Sequence, residues 1–167
     1  NTGRKVEKYR WRFIVKEQIS DNVTLYRCHV SQKYNKSFFG RAWAYFSFAF
    51  SSTVAGVLKV KSPDVILATS PPLTVSSTMN WLGWIFRRPT IFEVRDLWPE
   101  SAIDTGVLQP GRLANILYKM EAKAYQRSKW INVLTPAFRD KLINNKGIDG
   151  DKISMIPNGA DPGFFEP

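Results

Sequence analysis

The chain has 167 residues, 44% hydrophobic and 14% aromatic, enough for one domain with a sizeable core and too apolar for a disordered segment. Its net charge is +10, and residues 1 to 41 carry ten Lys or Arg against Glu7, Glu17 and Asp21, a surplus that attracts polyanions such as nucleic acid, anionic lipid or phosphorylated substrates. One cysteine and one histidine, Cys28 and His29, exclude an internal disulfide and disfavour a zinc or iron centre built on imidazoles; a reducing, cytoplasmic setting is favoured.

In chain order, residues 1–21 read as a basic, weakly ordered lead-in without a signal peptide. A strand is predicted over 22–30, NVTLYRCHV, placing Cys28 and His29 on opposite faces and arguing against a catalytic pair. A helix from about Arg41 to Val60 is apolar nearly all round and is expected to be well buried. The run DVILAT (64–69) suits a parallel strand, stopped by Ser70-Pro71-Pro72, and a helix follows to Phe86. TIFEVR (90–95) is the next strand, then a loop IDTGVLQPG and a helix over 112–127 with apolar spacing at Leu113, Ile116, Leu117, Met120 and Ala124. WINVLT (130–135), a helix opened by Pro136 and stopped by Gly147, and a strand KISMIP (152–157) complete the pattern. Strands alternating with helices predict an α/β fold, Rossmann-like and doubly wound, with a mainly parallel sheet and helices on both faces. The longest apolar stretches, 42–58 and 73–86, fall short of the roughly 20 residues a spanning helix needs.

The densest chemistry lies in PTIFEVRDLWPE, residues 89–100, where an apolar run ends in Glu93, Arg95, Asp96, Trp98 and Glu100. Open α/β sheets bind ligands beyond the carboxyl ends of their strands, so a carboxylate there can orient or deprotonate a hydroxyl, the guanidinium can hold phosphate, and the indole can stack on a sugar ring. The bland alternative is a Glu93–Arg95 salt bridge on one strand face and a plain turn with Glu100 at a helix N-terminus. Thr69-Ser70-Pro71-Pro72 is either a ligand-binding loop or a stiff turn. The basic, aromatic N-terminal stretch, with Tyr9, Trp11, Phe13, Phe38, Phe39 and Trp43, suits an anionic lipid surface better than nucleic acid, the alternative being a solvated face.

Four motifs taken in order, PDVILATSPP (63–72), PTIFEVRDLWPES (89–101), INVLTPAFRDKL (131–142) and KISMIPNGADPGFF (152–165), resemble the N-terminal domain of family 4 glycosyltransferases of the GT-B fold, nearest to bacterial capsule, O-antigen and colanic-acid enzymes of the fucosamine-transferase type. The resemblance implies a retaining, metal-independent transferase without a cofactor, peripheral on the cytoplasmic face of the membrane. This domain would bind a polyprenyl-diphosphate-linked acceptor, and a second domain the nucleotide sugar. Asp96 and Glu100 would then orient the acceptor, while Arg95, Trp98, Glu93 and Ser70 bind it; Asn158 and Gly159 would shape the interdomain cleft. Many relatives carry His-Asp where Arg95-Asp96 stands, so Arg95 would act electrostatically. The domain would span 22–157 and a linker begin at 158. The first strands and the donor domain would lie outside the chain, leaving it inactive alone and open to pairing as a homodimer. The rival expectation is a non-catalytic basic α/β module on anionic membrane or nucleic acid.

Overall fold

A computed structural model describes residue 9 and residues 12–32 and 38–159. Most of the basic lead-in, Lys33, Lys36 and Ser37, and residues 160–167 of the linker expected from 158 lie outside the described residues.

The lead-in contains a strand that its sequence did not announce. Strand β1 (Ile14–Ser20) turns at Asp21-Asn22 and pairs antiparallel with β2 (Val23–Cys28), Ile14 opposite Cys28. The segment IVKEQIS lacks a clean apolar alternation, so pairing with β2 rather than patterning makes it a strand. The predicted 22–30 strand is therefore half of a separate hairpin and not a member of the main sheet.

Helix α1 (Phe38–Lys59) lies against this hairpin and against α2 (Val75–Phe86). Ser51 Oγ donates to the His29 carbonyl at 2.7 Å, and the Ser31 N–H donates to Ser47 Oγ at 2.9 Å. On the α2 side the contact is made by small and hydroxylated residues. Thr53 Oγ1 donates to Thr78 Oγ1, Thr78 Oγ1 donates to the Ala49 carbonyl at 2.9 Å, and Gly56 lets Leu82 lie directly against the helix.

The expectation that α1 is well buried is wrong. Ala44, Ala49, Ser51 and Ala55 are buried, whereas Phe39, Trp43, Phe46, Phe50 and Val57 form an exposed stripe, Phe39 being 81% exposed. Two partners cover two sectors of a helix, and a helix apolar on all sides leaves the remaining sector in water. Trp81, Trp84 and Ile85 on α2 are exposed as well.

The main sheet is four-stranded and parallel, in sequence order: β3 (Ile66–Ser70), β4 (Thr90–Val94), β5 (Trp130–Val133) and β6 (Ile153–Met155). The loop expected after β4 holds a short helix, α3 (Glu100–Asp104), before α4 (Arg112–Arg127) and α5 (Pro136–Asn144). Helix α5 starts as its sequence indicates: Pro136 is the first residue and the Thr135 hydroxyl caps the Phe138 N–H at 3.2 Å. Alternate sheet residues Phe92, Val94, Ile131, Val133 and Ile153 form one core with Met79 of α2, Ala124 and Tyr125 of α4 and Leu142 of α5. Each large side chain there contributes about 1.5–3 kcal/mol through burial. The α/β class and the parallel sheet are as expected. The three crossover helices share one face rather than dividing over both as expected, because neighbouring strands joined in sequence by right-handed crossovers put every helix on the same side.

Candidate functional site at the strand ends

The residues on the sheet face away from the core form registered rows. Leu67, Ile91 and Trp130 stand in line across three strands with Ile91 between the other two, and Thr69, Glu93, Asn132 and Ser154 make a polar row across four. Thr69 Oγ1 donates to Glu93 Oε2 at 2.8 Å, and Ser154 Oγ lies 3.4 Å from Asn132 Oδ1. Glu93 thus answers to the neighbouring strand; among the described residues it makes no salt bridge with Arg95. Strict period-two reading of the four strands would have found this row.

Beyond β4 the chain turns through Arg95 to Pro99. The Arg95 N–H donates to the Ser70 carbonyl at 3.0 Å, tying the ends of β3 and β4 together, while the Arg95 side chain is exposed. Ser70 itself is buried, so it offers the site a backbone contact rather than an accessible hydroxyl. Asp96 is half-buried, with Oδ2 accepting from Ser101 Oγ at 2.9 Å. Trp98 is half-buried and packs against the sheet core and against a second, smaller cluster of Ala102, Leu108 and Ala114. Arg95, Asp96 and Trp98 therefore stand together at the carboxyl edge of the sheet. Asn158 and Gly159 are exposed at the same edge beyond β6, two strands from β4 and so roughly 10 Å along it.

Glu100 does not join them. It pairs with Lys146, which also binds Glu121 at 2.6 Å, and Tyr125 Oη donates to Glu121 Oε1 at 2.8 Å. Burial raises the Glu121 carboxyl above its ordinary range, against the opposing pull of Lys146. Burial works to lower Lys146, but the two carboxylates outweigh it and the ammonium is raised. Burial next to Glu121 also pushes the Tyr125 hydroxyl up. This cluster lines a cleft of about 520 Å³ between α4 and α5. Lys146 is 46 residues from Glu100, so nothing local in the sequence announces the pair. Away from the strand ends, burial raises the Cys28 thiol, which keeps it protonated and weakly nucleophilic.

An exposed guanidinium, a hydroxyl-anchored carboxylate and an indole thus stand where open α/β sheets take their ligands. A family model described as a glycosyl transferase 4-like domain matches residues 7–159. The chain belongs to that family. No curated protein matches it. As a glycosyl transferase 4-like domain it has a role in glycosyl transfer, with a sugar donor and an acceptor as its general partners. The Rossmann-like arrangement agrees with the N-terminal domain of a GT-B enzyme, and the matched span takes in the hairpin, the sheet and every described site residue.

Proposed function

We propose that this glycosyl transferase 4-like domain is the acceptor-binding half of a retaining, metal-independent glycosyltransferase that uses a nucleotide sugar held mainly by a second domain. Asp96 orients the acceptor hydroxyl by accepting its hydrogen bond; the hydroxyl oxygen bonds to the anomeric carbon as the bond to the nucleoside diphosphate breaks, and the hydroxyl proton leaves on the departing diphosphate. Arg95 meets the phosphate charge of acceptor or leaving group, and Trp98 packs the sugar ring. Glu100 is assigned a structural role with Lys146. The observation that carries this reading is the Asp96 carboxylate at the end of β4, held through one oxygen by Ser101.

The acceptor is proposed to be a polyprenyl-diphosphate-linked sugar in surface polysaccharide synthesis, met on the cytoplasmic face of the membrane. Supporting this, the exposed aromatic stripe of α1 and the tryptophans of α2 belong to a stretch that carries Arg41, Lys59, Lys61, Arg87 and Arg88, with Asp64 the sole acidic residue between positions 38 and 88. Among the described residues no helix is long and apolar enough to cross a membrane. In the enzyme carrying this domain, Asp96→Ala is expected to lower kcat by 10²- to 10⁴-fold. Unchanged turnover would reject the assignment.

A further inference from the structure

Between α1 and α4 runs an apolar groove of about 230 Å³, closed at one end by the turn after β3 and at the other side by Trp98. Phe46, Leu73, Leu113, Ile116 and Met120 form its walls, and Leu113 and Ile116 remain 42% and 54% exposed within it. The Thr74 hydroxyl in the lining is already bonded to the Tyr45 carbonyl at 3.2 Å. Arg41 is the lining's one charged residue and makes no ion pair among the described residues; no carboxylate lines the groove.

Resting on the acceptor-binding reading, we infer that this groove holds the hydrocarbon chain of a phosphorylated amphiphile, the acceptor's own lipid tail, with Arg41 facing its anionic end. Size supports a chain segment: apolar cavities of about 150 Å³ already take up benzene. Chemistry disfavours a peptide, whose N–H and C=O groups would be buried without partners along apolar walls. Position supports the acceptor. Phe46 belongs both to the groove and to the exposed aromatic stripe, and Trp98 belongs both to the groove and to the Arg95–Asp96 turn. A chain lying there connects a lipid surface to the reacting end.

The test titrates the chain with n-alkyl monophosphates of four to twelve carbons, below micelle formation, following the Trp98 indole N–H by NMR. Affinity is expected to rise roughly three- to fourfold per methylene and then level off once the groove is filled. Ile116→Glu and Leu113→Glu, both at water-accessible positions, should flatten the series. Arg41→Ala should weaken every member about tenfold and keep the slope. Affinity indifferent to chain length, or a slope unaltered by Ile116→Glu, overturns the inference. So does displacement of the series by zwitterionic phosphatidylcholine vesicles at a fixed free concentration of alkyl phosphate, which would assign the groove to bulk lipid. The two readings fail separately. Transfer with equal KM to acceptors with and without a tail removes the groove and leaves the transferase. Length-dependent binding in an enzyme that transfers to no acceptor removes the transferase reading and leaves the groove.

Discussion

Ser101 Oγ donates a 2.9 Å hydrogen bond back to Asp96 Oδ2, so the first turn of α3 holds the carboxylate that the turn after β4 presents. The other carboxylate oxygen makes no hydrogen bond among the described residues, which leaves it able to accept one. Ser101→Ala is expected to free the Asp96 rotamer and lower kcat about tenfold with little change in KM, at a stability cost of about 0.5–1.5 kcal/mol. Steady-state kinetics together with urea denaturation separate the two effects. A change confined to KM would mean that Ser101 binds acceptor directly.

Arg95→Ala should raise the KM for a phosphorylated acceptor, or weaken diphosphate inhibition, by roughly 10- to 100-fold, the range of one charge-assisted hydrogen bond. Inhibition constants for inorganic diphosphate measured at several salt concentrations provide the check, since the exposed side chain should lose its advantage as salt rises.

Lys146 neutralises one of two carboxylates in a nearly dry cluster, where Glu121 is almost fully buried. Lys146→Met should therefore cost about 3–5 kcal/mol at neutral pH, because it strands both charges. Glu121 holds its proton more tightly folded than unfolded, so its contribution is fully present below the ordinary glutamate value of 4.5 and is lost as pH rises through the raised one. Denaturation curves between pH 4 and 8 should show the Lys146→Met deficit shrinking toward acid, and Glu121→Gln should flatten that dependence in the parent chain.

A Cβ at Gly83 would meet Thr90 Cγ2 at 2.6 Å, and Thr90 is a buried, β-branched residue on β4 with little room to rotate. Gly83→Ala should destabilise the chain by about 1 kcal/mol net, overpacking outweighing the gain in helix propensity. Adding Thr90→Ser removes the clashing methyl, and a double-mutant cycle should report a favourable coupling between the two sites.

Trp43→Ser with Phe50→Ser, both on the outward stripe of α1, should weaken binding to vesicles containing anionic lipid by tenfold or more without lowering thermal stability. The residual binding should vanish at high salt, since each nearby Lys or Arg contributes about 1 kcal/mol by attraction to the surface. Sedimentation of the chain with vesicles at two salt concentrations distinguishes these contributions.

Much of the parallel sheet was legible because its signals are local. Helix α4 spans the residues its spacing indicates, and Thr135-Pro136 opens α5 by capping chemistry that four residues suffice to encode. Features that depend on distant partners were not legible. Strand β1 exists through its pairing with β2, and the polarity of KEQ hides it. The apolar composition of α1 gives the size of its apolar surface but not the number of partners available to cover it. The strand-end site divides the same way. Arg95, Asp96 and Trp98 sit where the abrupt change from apolar to charged residues indicated, while Glu100 was drawn into another cluster by a lysine 46 positions away.

The row Thr69–Glu93–Asn132–Ser154 has a further consequence for how this sheet can be covered. Any element laid over that face meets a carboxylate, an amide and two hydroxyls in line, each carrying lone pairs or protons that an oily cover would leave unanswered. A stretch of leucines would be repelled by it, whereas a backbone or side chains with donors of their own would be welcomed and set in register. The carboxyl-end part of the face thus chooses its cover by hydrogen-bonding capacity, while the Leu67–Ile91–Trp130 row behind it offers apolar contact.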